Sequence, residues 1–336
     1  MAKLTFDDIL KDIRNKVFYP VYFLMGEESF YIDVIADFLE EKVLNEEEKG
    51  FNLSVLYGKE TDVPSILSVA KRFPMMASHH LVIIREAQNI KDIEALSSYI
   101  NKPLSSTILV ICYKYKSLDR RKKFVKDIEK NGLLFEGKKL YDNQVPAWIS
   151  DYIRRKGYRI GPRAVQMLAD HLGADLAKIV NEIGKIFISL PRGQEVSTKV
   201  IEENIGISKD FNNFELQEAL GEKNILKAQQ IVKYFGDNPK SHPLVVTLAV
   251  LYQYFARILI YHSLRDKSKN NVAAALSVNP FFVPHYLQAA KNYPPDKLIH
   301  IISLLRVADT RSKGIDNYSA TDAELLRELT YKILHI

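Results

Sequence analysis

The sequence predicts an α/β domain on a parallel sheet, followed by a wholly helical remainder. Three observations carry this. Five short apolar runs, rich in β-branched and aromatic residues, fall within the first 140 positions. Stretches of helical period separate them, and beyond about Tyr141 the runs stop while the helical period continues. Runs that are apolar throughout read as strands covered on both faces, and strand–helix–strand order places them in a doubly wound sheet.

The predicted strands are 20–25 (PVYFLM), 53–58 (LSVLYG), 80–86 (HLVIIRE), 106–112 (STILVIC) and 132–137 (GLLFEG). Helical patterns lie between them at 30–43, 63–72 and 118–130. Next come helices over 145–160 and 161–190, punctuated by Gly157, Gly161-Pro162 and Gly173. The polar stretch 191–199 (PRGQEVSTK) reads as a loop. A short helix at 200–207 leads into a second linker, 206–213 (GISKDFNN). Past Phe211 the pattern is helical, with breaks near Asn238-Pro239, Asn279-Pro280 and Pro294-Pro295, and the helix over 296–312 ends near a capping Gly314. This gives an α/β domain over 1–140, a small helical domain over 141–210 and a larger helical bundle over 211–336.

A chain of 336 residues is too long for one core. Its single cysteine, Cys112, excludes an internal disulfide and fits a reducing, cytoplasmic setting. No apolar core of a secretory leader stands in the first residues. The segment 244–262 is apolar, but Thr247, Gln253 and Arg257 interrupt it, so a buried bundle helix is expected instead of a membrane span. The net charge of +6 is local: residues 114–139 hold ten Lys/Arg against four Asp/Glu, and the rest of the chain is neutral. A surplus concentrated in one segment points to an acidic partner.

The first run ends at Gly26 and a helix pattern follows at once, the layout of a phosphate-binding loop. Such a loop needs several glycines, a lysine for the phosphate oxygens and a hydroxyl for magnesium. Here Glu27 and Glu28 follow Gly26 and no lysine does. Both carboxylates, placed in the first helical turn, favour the positive helix end by roughly 0.3–1 kcal/mol each and repel a triphosphate. The run at 80–86 ends in Arg85-Glu86, where magnesium-assisted phosphoryl transfer wants acids. The site is expected empty of nucleotide. A capped turn in an unrelated α/β fold is the plain alternative.

No other chemistry is expected. His79 and His80 are adjacent and on a strand face opposite ways, so they do not chelate one metal. Cys112 closes an apolar run and reads as buried. No serine-nucleophile elbow occurs, and neither catalytic residues, a metal nor a cofactor is expected. Two stretches stand out. In "AKRFPMMASHH" a helix ends near Phe73-Pro74, and Met75-Met76 occupy the turn before a strand. They either tuck under the domain or form an adaptable apolar tip rimmed by Lys71, Arg72 and His79. In "KSLDRRKKFVKDIEK", Ser117 or Asp119 can cap a helix whose first turn holds Arg120, Arg121, Lys122 and Lys123. These are a solvated face or, because they oppose the macrodipole, a contact with phosphates or an acidic protein.

Taken together, these stretches resemble the delta subunit of the bacterial DNA polymerase III clamp loader. "PVYFLMGEESFYIDVIADFL" is similar to the family's opening strand, Gly-Glu-Glu turn and helix. "GKETDVPSILSVAKRFPMMASHHLVIIREAQNI" is similar to its next block, and "KSLDRRKKFVKDI" to its basic helix. "VPAWISDYIRRKGYRIGPRAVQMLADHLGADLAKIVNEIGKI" and "DFNNFELQEAL" resemble its middle domain and the start of its collar. The resemblance implies an AAA+-like domain, a helical lid and a helical collar. It implies a subunit of the DNA polymerase III holoenzyme that binds no ATP and opens the ring-shaped sliding clamp for loading on primed DNA. Its partners would be the clamp (beta subunit) and, through the collar, the gamma/tau and delta-prime subunits. The family's clamp-binding apolar pair, commonly Leu-Phe or Met-Phe, falls on Met75 and Met76, with Phe73 beside them. The competing readings are a divergent P-loop NTPase and a stand-alone DNA-binding protein using residues 114–139.

Overall fold

The computed structural model describes residues 4–206, 208 and 210–336. The chain divides into two compact units, Met1–Leu140 and Tyr141–Ile336.

In the first unit all five expected strands form: β1 (Val21–Gly26), β2 (Leu53–Tyr57), β3 (His80–Arg85), β4 (Thr107–Lys114) and β5 (Leu133–Gly137). They pair in parallel in the order β2-β3-β4-β1-β5. Around them lie helices α1 (Phe6–Arg14), α2 (Ser29–Lys42), α3 (Glu46–Asn52), α4 (Val63–Ala70), α5 (Ser97–Ile100) and α6 (Lys123–Asn131). Successive residues of β1 go to opposite faces. Val21, Phe23 and Met25 join Ile66 of α4 and Phe124 and Ile128 of α6 in one core. Tyr22 and Leu24 join Ile9 and Ile13 of α1 and Ile32, Ile35 and Leu39 of α2 in the other. Both sides are covered at the inner strands β1, β3 and β4, which is why those runs carry no polar alternation, whereas edge strand β2 leaves Val55 and Tyr57 exposed.

Three helices of this unit escaped the sequence reading, the one-turn α5 and two, α1 and α3, that each carry a start signal. Thr5 caps α1 through a reciprocal pair with Asp8 (3.0 and 3.2 Å). At α3, the Asn45 N–H donates to the Glu48 carboxylate (2.9 Å). The basic helix is shorter than expected. It begins at Lys123 with Lys122 as N-cap, so neither Ser117 nor Asp119 caps it and only Lys123 stands in its first turn among the four cations. The reason is local: Asp119 accepts from the Arg121 N–H (2.9 Å) and grips its guanidinium, which holds a separate turn ahead of the helix.

The second unit holds α7 (Val145–Arg155), α8 (Pro162–Leu172), α9 (Leu176–Ser189), α10 (Thr198–Ile205), α11 (Asn213–Gly221), α12 (Ile225–Asp237), α13 (Leu244–Ser263), α14 (Lys269–Leu276), α15 (Val283–Asn292), α16 (Pro295–Ser312) and α17 (Asp322–Leu334). Strands do not stop at Tyr141 as expected. Two-residue strands β6 (Arg159–Ile160) and β7 (Glu195–Val196) pair in parallel, so 191–199 is not all loop. Segments that short carry no periodicity to read. In the linker at 206–213, Ile207 and Lys209 lie outside the described residues, Asn212 caps α11 by accepting from the Glu215 N–H (3.0 Å), and Asn213 is already helical.

Helix α13 is long and apolar enough to cross a membrane by length and composition alone. Its Leu244, Leu248, Leu251, Phe255 and Ile258 are buried in one core with α12, α15, α16 and α17, as a bundle helix requires. After α16, Gly314 adopts φ 85° and its N–H donates to Arg311 O (3.0 Å), the left-handed finish expected of that glycine.

Candidate functional site

The tip between α4 and β3 is built by two stops. Asp62 starts α4 by accepting from the Ser65 N–H (2.9 Å), and Lys71 ends it. Pro74, with no N–H, forbids a further turn. The next residues are pinned from another segment. Asn52, buried at the end of α3, accepts from the Met75 N–H (2.6 Å) and donates to the Met75 carbonyl (2.9 Å), while also donating to Glu48 O (3.1 Å). Met76 takes a left-handed φ of 55°, Ala77 packs against the core, and His79 sets its ring edge-on to Phe18. The side chains between these anchors point into solvent: Phe73 is 76% exposed, Met75 60%, and Met76 wholly so. The reading that this pair tucks under the domain is not met. Lys71 and Arg72 beside it have no carboxylate partner among the described residues. Asn52 was invisible to sequence reasoning because its contact spans 23 residues and no local pattern announces it.

The loop after β1 is a phosphate loop in outline and closed in detail. Gly26 has φ 130°, and a Cβ there would stand 2.1 Å from Gly137 O. Its N–H donates to Lys116 O (3.0 Å), and the Glu28 N–H donates to Gly137 O (3.1 Å). The Glu28 carboxylate, nearly buried, caps α2 by accepting from the Phe30 N–H (3.1 Å). Backbone amides that cradle phosphates in a working loop are thus engaged by the chain itself. One correction applies: the helix begins at Ser29, so Glu28 is its N-cap and Glu27 precedes it, and no acid lies in the first turn proper. At the neighbouring strand ends, Arg85 pairs with Asp37 (2.7 Å), Glu40 (3.4 Å) and Asp33 (3.6 Å), and Lys114 pairs with Asp33 (2.6 Å). A cation stands where magnesium chemistry wants an acid. Cys112 behind it is buried, and burial pushes its thiol up to about 12.

Of the four cations at 120–123, three are paired. Arg120 meets Glu136 (2.7 Å) and Glu129 (3.5 Å), Arg121 meets Asp119 (2.7 Å), and Lys122 meets Glu94 (2.6 Å). Lys123 has no such partner among the described residues.

In the second unit a cavity of about 840 Å³ lies among α7, α8, α11, α13 and α15. Its wall mixes apolar residues such as Val165 and Val246 with Asp170, Arg257, Tyr286 and His285. Burial raises the Asp170 carboxyl to about 6, against a hydrogen bond from Gln166 (2.7 Å) and the charge of Arg257. Among the described residues, Glu218, Glu222 and His285 are close enough to hold a metal. Glu218 is already engaged by His285 (3.0 Å) and Arg163 (3.0 Å), and the guanidinium opposes a second cation there.

Comparison with known proteins gives the chain's family. The model of the DNA polymerase III delta subunit matches residues 22–138, and that of its C-terminal domain matches 210–329, together more than half of the chain. The DNA polymerase III subunit delta of Bacillus subtilis (strain 168) is 26% identical over 335 residues, 96% of this chain and 94% of its own length. A solved Bacillus subtilis DNA clamp loader delta protein aligns at TM-score 0.54 with 24% identity, over 99% of this chain and 100% of that one, a likeness of fold. From the two matched regions and their order along the chain, this protein belongs to the DNA polymerase III delta-subunit family.

Proposed function

We propose that this chain is the clamp-loader subunit that grips and opens the sliding clamp while leaving ATP hydrolysis to its neighbours. The observation that carries this reading is the exposed Phe73, Met75 and Met76 on a tip whose backbone is pinned from beneath. Exposed side chains of this size on a fixed backbone suit insertion into a partner's apolar pocket, because little order is lost on docking. Methionine adapts to an irregular pocket, and Phe73 adds a rigid anchor. Lys71 and Arg72, without a carboxylate partner among the described residues, favour a pocket with an acidic rim. Such a wedge opens a ring only through higher affinity for the open form than for the closed one.

Abstention from ATP is supported by the self-satisfied loop at Gly26 and Glu28 and by Arg85 at the metal end. The parallel sheet then serves as a frame shared with related ring subunits. We read 141–210 as a lid and 211–336 as the collar that joins gamma/tau and delta-prime, supported by the single continuous core from Leu216 to Leu334. In the assembled complex primed DNA is the further partner. Lys123 is freer to meet it than the paired Arg120, Arg121 and Lys122.

The test is direct. Met75→Ala/Met76→Ala is expected to weaken binding to the sliding clamp by about 100-fold or more, read by surface plasmon resonance. Unchanged affinity rejects the site. Calorimetric titration of the purified chain with Mg·ATP is expected to show no heat of binding, and saturable binding would revive the NTPase reading.

A further inference from the structure

We propose that the docking surface is composite: α3 contributes Phe51 to the contact made by Phe73, Met75 and Met76, and the buried Asn52 locks the two segments in register before the partner arrives. This rests on the reading of the tip as the clamp contact and names residues that reading leaves out.

Three observations carry it. Phe51 is 72% exposed, an apolar ring in water at the last turn of a helix that otherwise carries charge (EEEKGFN). An isolated exposed aromatic needs no explanation. This one directly precedes the residue bonded to the tip, so its backbone is fixed beside Met75. Second, Asn52 uses both ends of its amide on one residue, and its carboxamide is wholly buried. A buried amide with one partner deleted leaves backbone groups of Met75 unsatisfied, so the lock is strongly specified. Third, Met76 holds a left-handed φ of 55° with no glycine freedom. Non-glycine residues keep such a conformation only where the surroundings impose it, and the bonds to the preceding residue do so here. A loop fixed in this way presents its side chains already ordered, which lowers the entropy lost on docking.

The occupant is the sliding clamp, presenting an apolar pocket edged by carboxylates. The charge argument is on the tip: Lys71 and Arg72 lack carboxylate partners among the described residues and flank the apolar side chains. Asn52 is a positioning residue, since its side chain is buried and cannot touch the partner. Phe51 is a contact residue.

The experiment measures clamp binding by surface plasmon resonance for the full chain and for Phe51→Ala, Asn52→Ala and Met75→Ala/Met76→Ala, with amide hydrogen exchange on each. Phe51→Ala is expected to weaken binding by about tenfold, mostly in the dissociation rate, with exchange at Met75 and Met76 unchanged. Asn52→Ala is expected to weaken binding by about tenfold while raising exchange at Met75 and Met76 by about tenfold or more, with the β3 and β4 amides still protected. If the methionine double variant binds poorly while Phe51→Ala and Asn52→Ala both bind like the parent, the composite surface is wrong and the simple tip survives. If the double variant binds like the parent, the clamp reading itself fails. Should Asn52→Ala not fold, Phe51→Ala alone decides: it is a surface change, and parental affinity overturns the proposal.

Discussion

Single side chains set both the closed loop and the open tip. Glu28 is worth most as a cap: it satisfies an amide at the N-terminus of α2. Asp170 shows a different residue-level effect. Burial holds its carboxyl at about 6, above its unfolded value, so the folded state prefers the neutral acid. Below about pH 4 the group is protonated in both states and costs nothing. The penalty grows as pH rises from the unfolded value of about 4 to the folded value of about 6, and is complete above that. Asp170→Asn should therefore stabilise the protein by about 2 kcal/mol at pH 7.5 and by nearly nothing at pH 4. Urea unfolding at both pH values checks this, and an equal gain at each would contradict the assigned cause.

At the scale of elements, α2 is tied to the sheet by more than its apolar face. Asp33, Asp37 and Glu40 lie on one stripe of the helix, and all three meet Arg85 at the end of β3. Arg85 is mostly buried, while its partners reach solvent to different degrees. Arg85→Met keeps the side-chain stem and deletes the charge, so packing survives, Asp37 and Glu40 lose their counterion and Asp33 keeps Lys114. The expected loss is about 1–2 kcal/mol in low salt, shrinking in 1 M salt as the carboxylates are screened. A loss independent of salt would place the arginine's role in packing instead. The change should not create an ATP site, because the amides of Gly26 and Glu28 stay engaged.

For the whole molecule, the chain forms two compact units with separate cores, and the segment between β5 and α7 carries exposed Lys138 and Lys139 outside any strand or helix. Exposed, irregular backbone is where proteases cut first. Brief trypsin treatment should give two resistant fragments divided at Lys138 or Lys139, identified by mass spectrometry. Early cleavage within β1 to β5 instead would show that the first unit is not independently compact. The match of one family model to each unit fits this division.

The five strands, their parallel order of burial and the helical remainder were legible in the sequence because each rests on a run long enough to show a period. Gly26, Glu27 and Glu28 announced by residue type alone a strand-to-helix turn without the lysine of a phosphate loop, and Met75-Met76 stood out as apolar residues in a turn. What the sequence did not carry was any pairing across distance. Asn52 reaching Met75, Lys116 and Gly137 closing over the loop, and Arg85 gathering three acids all depend on segments brought together by the sheet. The same limit misplaced the start of the basic helix, where Asp119 turned to Arg121 instead of capping, and hid the two-residue strands. Local composition fixes which segments become strands and helices. Whether an apolar turn is hidden or displayed depends on which distant donor holds its backbone, and only the folded chain decides that.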